Sequence, residues 1–140
     1  MLESPRIQGV IETCLYVADL GYAIDFYERI LLLRRLVADD RMAAFAVADR
    51  QLLLLFRKGA TPRPIPTSGG VIPAGHGDSP VHLGLAIDRR DLAAWETWLE
   101  GSGVSIESRV EWPRGGWSLY FRDPDRNLVE LLTPGVWTVY

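Results

Sequence analysis

Residues 10–17, VIETCLYV, alternate polar and apolar side chains with the period of two that marks a half-buried β-strand. Thr13, Leu15 and Val17 share one face, while Glu12, Cys14 and Tyr16 share the other. Asp19 then offers an N-cap to a helix whose apolar positions Ala23, Phe26, Tyr27 and Ile30 follow helical spacing. Three strands are expected next, at about 33–38, 42–48 and 51–58, with polar turns at Ala38-Asp39-Asp40-Arg41 and Asp49-Arg50 between them. Residues 59–80, GATPRPIPTSGGVIPAGHGDSP, are dense in Pro and Gly without sustained periodicity, and read as a linker or lid with no element of its own.

The pattern then repeats. A strand at 81–87, VHLGLAI, leads to a helix beginning near Asp91, with Leu92, Trp95, Trp98 and Leu99 on one stripe and Gly101 or Gly103 at its end. Helical spacing assigns Trp95 and Trp98 to core or dimer packing. Three more strands are expected at about 104–111, 117–122 and 127–133. The two copies align at an offset of 70 on Glu12-x-x-Leu15-x-Val17 and His82-x-x-Leu85-x-Ile87, and at 76 on Gln51-Leu52-x-Leu54 and Asn127-Leu128-x-Glu130. An internal repeat weighs more in fold assignment than propensity does. It predicts one α+β domain over residues 1–140, made of a βαβββ module at 10–58, the linker 59–80 and a second βαβββ module at 81–133. In each module one helix covers one sheet face, leaving the other face free to curve around a cleft.

Alternation decides what lines that cleft. Glu12, Cys14 and Tyr16 face it from the first strand and His82 from the fifth, and Glu130 joins them if Leu128, Glu130 and Leu132 turn inward. An unpaired carboxylate in an apolar strand is costly, so Glu12 requires a partner. The plain candidate is an arginine at the strand edge; the chemical one is a bound cation.

Composition narrows the classes. The chain has 140 residues, 48% of them hydrophobic and 24% charged, with a net charge of -3 and no basic block, so neither nucleic acid nor an anionic membrane is an expected partner. The single cysteine, Cys14, excludes an internal disulfide, and a reduced, cytoplasmic setting is expected. The start MLESPRIQGV has no secretion-signal pattern, and the aliphatic runs at 31–33 and 52–56 are too short to span a bilayer. His76 falls in the linker and is expected to be solvated. Cys14 has no basic neighbour in sequence to activate it and reads as an inert thiol.

Three segments, CLYVADLGYAIDFYERIL at 14–31, HLGLAI at 82–87 and SLYFRDPDRNLVELLTP at 118–134, resemble the vicinal oxygen chelate superfamily. That superfamily includes glyoxalase I, extradiol ring-cleaving dioxygenases, fosfomycin-resistance thiol transferases and bleomycin-binding proteins. The resemblance implies a glyoxalase-like fold and metal ligands at Glu12, His82 and Glu130, with Leu54 at a fourth position that here cannot bind. Glu12 stands where histidine is commoner. One imidazole and two carboxylates leave open positions on a divalent ion such as Mn²⁺, Fe²⁺, Ni²⁺, Co²⁺, Mg²⁺ or Zn²⁺. A homodimer with a site shared between chains is implied as well, and Glu12 is the one candidate general base, by transient release from the metal.

Tyr120 matches a substrate-contacting tyrosine of fosfomycin-modifying relatives, and Ser118 shares its face. Trp112, Arg114 and Trp117 surround a glycine turn suited to closing over an apolar or anionic ligand, and Leu52 and Phe56 make the facing wall apolar. The expected function is a metal-dependent lyase, isomerase or dioxygenase acting on a small molecule with vicinal oxygens. The alternative is a metal-free module of the bleomycin-resistance kind that sequesters a small ligand.

Overall fold

The computed structural model describes residues 6–7, 9–74, 77–78 and 80–140. The first module contains β1 (Glu12–Val17), α1 (Leu20–Asp25) with a wider helical turn at Phe26–Ile30, β2 (Arg34–Ala38), β3 (Met42–Val47) and β4 (Gln51–Arg57). A short hairpin, β5 (Ile65–Thr67) and β6 (Gly70–Ile72), follows. The second module contains β7 (His82–Ala86), a 3₁₀ turn at Arg89–Asp91, α2 (Leu92–Gly101), β8 (Ser108–Glu111), β9 (Trp117–Arg122) and β10 (Leu128–Leu132). No helix among the described residues is long and apolar enough to cross a membrane.

Each module builds its own four-stranded sheet, in the order β1-β4-β3-β2 and β7-β10-β9-β8. In both, the first and last strands run parallel and the remaining pairs are antiparallel. The repeated βαβββ modules expected from the sequence are present. The linker differs from expectation, because Ile65 to Thr67 pairs with Gly70 to Ile72. The Thr67 hydroxyl donates to the Gly70 carbonyl at 2.8 Å and closes a turn that residue periodicity over three-residue strands is too short to reveal. His76 lies outside the described residues.

The Asp19 cap forms as expected, its carboxylate accepting from the Tyr22 N–H at 2.9 Å. Further along, the Leu31 N–H donates to the Phe26 carbonyl five residues back, which widens the last turn. The second helix stops where Gly103 takes a φ of 81°, a left-handed conformation that glycine adopts without a Cβ penalty.

One apolar cluster draws on both modules, including Leu15, Val17, Phe45, Leu53 and Leu55 from the first and Leu83, Leu99, Phe121, Val129 and Leu131 from the second. The first helix is the wedge between them. Tyr27 packs toward Phe45 and Phe26 toward Phe121, each with ring centroids 6.4 Å apart. Polar bonds fasten the same seam. The Tyr27 hydroxyl donates to Asp123 at 2.8 Å, the Ala18 N–H donates to Asp125 at 2.8 Å, and the Trp98 indole N–H donates to the Ile30 carbonyl at 2.8 Å. Burial first, and then the nearby Asp123 charge, push the Tyr27 phenol well above its ordinary pKa.

Candidate metal centre

Strand β10 positions the site because its side chains alternate. Val129 and Leu131 enter the core, so Leu128, Glu130 and Leu132 take the opposite face. Pairing with β7 sets His82 beside Leu128 and Gly84 beside Glu130. On the other flank, β9 sets Tyr120 beside Glu130 and Ser118 beside Leu132. His82, Ser118, Tyr120 and Glu130 therefore share one sheet face.

Glu130 is only 7% exposed. Its Oε1 lies 3.0 Å from His82 Nε2, and its Oε2 accepts the Ser118 hydroxyl at 2.5 Å. Ser118 Oγ in turn accepts the Trp112 indole N–H at 2.9 Å. No lysine or arginine among the described residues forms an ion pair with Glu130, whose neighbour on that side is the His82 imidazole. The His82 ring, half exposed, lies 6.3 Å from that of Tyr120. Partial burial, and then the Glu130 charge, raise the pKa of the Tyr120 phenol and keep it a neutral donor at pH 7.

The remaining candidate residues lie elsewhere. Glu12 is exposed at the start of β1, on the other sheet, and makes no hydrogen bond or ion pair with a described residue. The arginine partner that would make it an ordinary edge acid is absent among those residues. No three His, Cys, Asp or Glu side chains among the described residues converge as a metal site within one chain. Leu54, buried opposite Cys14 and Ala44, supplies no donor. The exposed Cys14 thiol has its pKa raised by partial burial and then by Glu12, opposite to what activates a nucleophile.

Around the glycine turn, Arg114 is exposed at the tip, and Trp117 points away from Ser118 to meet the Arg89 guanidinium at 5.9 Å. The turn itself is seated on the C-terminal segment. A Cβ on Gly116 would stand 2.5 Å from the Gly135 carbonyl carbon, so only glycine fits there. Alternation alone groups Ser118 with Tyr120 and Glu130. The Trp112 bond crosses a turn, where no periodicity reports direction, and only the folded chain reveals it.

As ligands, His82 Nε2 and Glu130 Oε1 fit a divalent ion by donor type and by their proximity on one sheet face. Glu12, the third ligand that the resemblance implies, belongs to an edge strand of the other sheet.

The family model of the Glyoxalase/Bleomycin resistance protein/Dioxygenase superfamily matches residues 9–131, and the chain belongs to that superfamily. Its curated relatives include the metallothiol transferase FosB of Bacillus licheniformis, 30% identical over 138 residues, spanning 96% of this chain and 81% of that protein. The metallothiol transferase FosB of Staphylococcus saprophyticus is 30% identical over 128 residues, with 91% and 78% covered. Among solved structures, a lactoylglutathione lyase from Agrobacterium tumefaciens superposes with a TM-score of 0.86 at 28% identity, covering 96% of this chain and 99% of that one.

Proposed function

We propose that this protein is a divalent-metal enzyme whose centre is formed by His82 and Glu130 of one copy and Glu12 of a second copy. Its substrate is a small molecule presenting two adjacent oxygens. The observation that carries this reading is the buried Glu130 carboxylate, opened toward His82 at 3.0 Å and lacking any lysine or arginine partner among the described residues. Such a carboxylate has negative charge left for a cation. The metallothiol transferase name of the relatives supports a metal and favours thiol transfer as the reaction. When bound, the ion supplies Lewis-acid polarisation of a substrate oxygen.

The chain's own residues supply the rest. Tyr120, a neutral phenol beside Glu130, donates a hydrogen bond to the substrate. Leu52, Leu54 and Phe56 share the face of β4 that carries no charge, and form the apolar wall. Two free edges support assembly from two copies. Among the described residues, strand β1 pairs only with β4, and β7 only with β10, so each presents an outer side with no described strand along it. Glu12 and His82 are the first residues of those two edge strands. A homodimer is the assembly this implies.

Complementation tests both parts of the reading. Glu12→Ala and His82→Ala are each expected to lose Mn²⁺ uptake in tag-free protein, and dimers formed by mixing the two unfolded and refolded variants are expected to regain part of it. Mixed dimers contain one intact donor set if, and only if, the site spans two chains. A monomer by sedimentation, or no recovery on mixing, would overturn the shared centre. A wild-type protein that takes up no Mn²⁺, Fe²⁺ or Ni²⁺ would leave metal-free sequestration of a small ligand as the function.

A further inference from the structure

We infer that Trp112 and Ser118 are positioning residues that hold the Glu130 carboxylate in one orientation, an inference that rests on the metal reading above. The hydrogen-bond direction follows from chemistry. An indole N–H can only donate, so Ser118 Oγ accepts from Trp112 at 2.9 Å. A serine has one proton of its own. An ionised carboxylate can only accept, so that proton is directed to Glu130 Oε2 at 2.5 Å.

The relay therefore has one polarity, from indole to hydroxyl to carboxylate. It engages Oε2 and leaves Oε1 to His82. Ser118 is fully buried, and Trp112 half-buried, so water does not easily replace either bond. The Gly116–Gly135 contact fixes the turn between Trp112 and Ser118, with the Gly116 N–H donating to the Gly135 carbonyl at 3.2 Å. The Trp117 N–H also donates to Thr133 Oγ1 at 2.8 Å, one strand end away from Glu130. These contacts tie the turn that carries the indole to the C-terminal end of β10, the strand that carries the carboxylate. Loss of the relay leaves Glu130 free to rotate, and a metal then pays the ordering entropy at the moment it binds.

The role differs from the substrate contact that the sequence suggests for Ser118 and Trp112. Their polar groups are engaged with Glu130 and with each other.

Two readouts test it, Mn²⁺ affinity by calorimetry and hydrogen–deuterium exchange of the Trp112 indole N–H by nuclear magnetic resonance. Ser118→Ala and Trp112→Phe are expected to weaken Mn²⁺ binding by about 10- to 100-fold, the effect usual for outer-shell partners of a ligand. Ser118→Thr, which keeps the hydroxyl, is expected to restore most of it, and Glu130→Ala to abolish it. In metal-free protein the Trp112 indole proton is expected to exchange slowly, and at least about 10-fold faster in Ser118→Ala, a change corresponding to the loss of one hydrogen bond. Wild-type affinity in both Ser118→Ala and Trp112→Phe would refute the relay while the metal reading stands. Absence of Mn²⁺ binding in the wild type would refute the metal reading, and fast indole exchange in the same sample would refute the relay independently. Circular dichroism of each variant separates these outcomes from misfolding.

Discussion

The two sheets have the same strand order, and the same register among their first three strands, and opposite chemistry on their open faces. Position for position, His82, Ser118, Tyr120 and Glu130 of the second sheet correspond to Glu12, Met42, Ala44 and Leu54 of the first. The helix-covered faces diverged far less, for Phe45 and Phe121 occupy equivalent places and are both fully buried. Packing constrains every atom on a covered face, since interiors are as dense as crystals. An open face is constrained only by what binds there. One copy kept a polar network, and the other became an apolar wall with a single acid at its edge.

The largest effect tests the sameness of the covered faces. Phe45→Ala and Phe121→Ala are each expected to cost about 3–5 kcal/mol, seen as similar falls in Tm; a large difference between them would show that the halves do not share the core equally.

Exchanging the residues that differ comes next. Leu54→Glu buries a carboxylate with no partner, at an expected cost of about 3 kcal/mol at pH 7. Burial raises the folded-state pKa of that new acid, so the loss should shrink as pH falls and the group protonates. Glu130→Leu, the reverse exchange, leaves the fully buried Ser118 hydroxyl without its acceptor and is expected to cost less, about 1–2 kcal/mol by chemical denaturation. The same variant should lose all Mn²⁺ uptake. Equal destabilisation by both exchanges would mean that the second face is as dependent on its chemistry for folding as the first is on its apolarity.

The smallest effect probes the seam between the halves. Tyr27→Phe removes the hydroxyl that reaches Asp123 and should cost about 1–2 kcal/mol. It should also change the alkaline limb of stability. With its folded pKa raised, Tyr27 keeps its contribution below the unfolded value of about 10 and loses it as pH rises from there toward the folded value. Denaturation at pH 9 and pH 11 is expected to show a smaller drop for Tyr27→Phe than for the wild type.

Much of this contrast was legible in the residue pattern. Alternation assigned Glu12, His82 and Glu130 to open faces, and the offset between the copies revealed the second βαβββ module, because both rest on local rules of strand geometry. The β5–β6 hairpin escaped, since three residues per strand carry no usable period. The separation of Glu12 from His82 escaped for a different reason. Repeat and alternation say which face a residue occupies, not how two sheets are set about their helices, and it is the wedge of Phe26 and Tyr27 that decides this. The Trp112 relay was hidden because a buried serine and an exposed one have the same letter.

The seam has a meaning for how such a chain can be divided. Its fastenings, Tyr27 to Asp123, Ala18 to Asp125 and Trp98 to Ile30, all join one half to the other without using the peptide that connects them. Covalent continuity between β4 and β5 is thus a convenience of synthesis. Two fragments, severed in that Pro-rich stretch and produced together, are expected to copurify as a folded pair, so the doubled gene could be carried as two half-genes without loss of the shared interior.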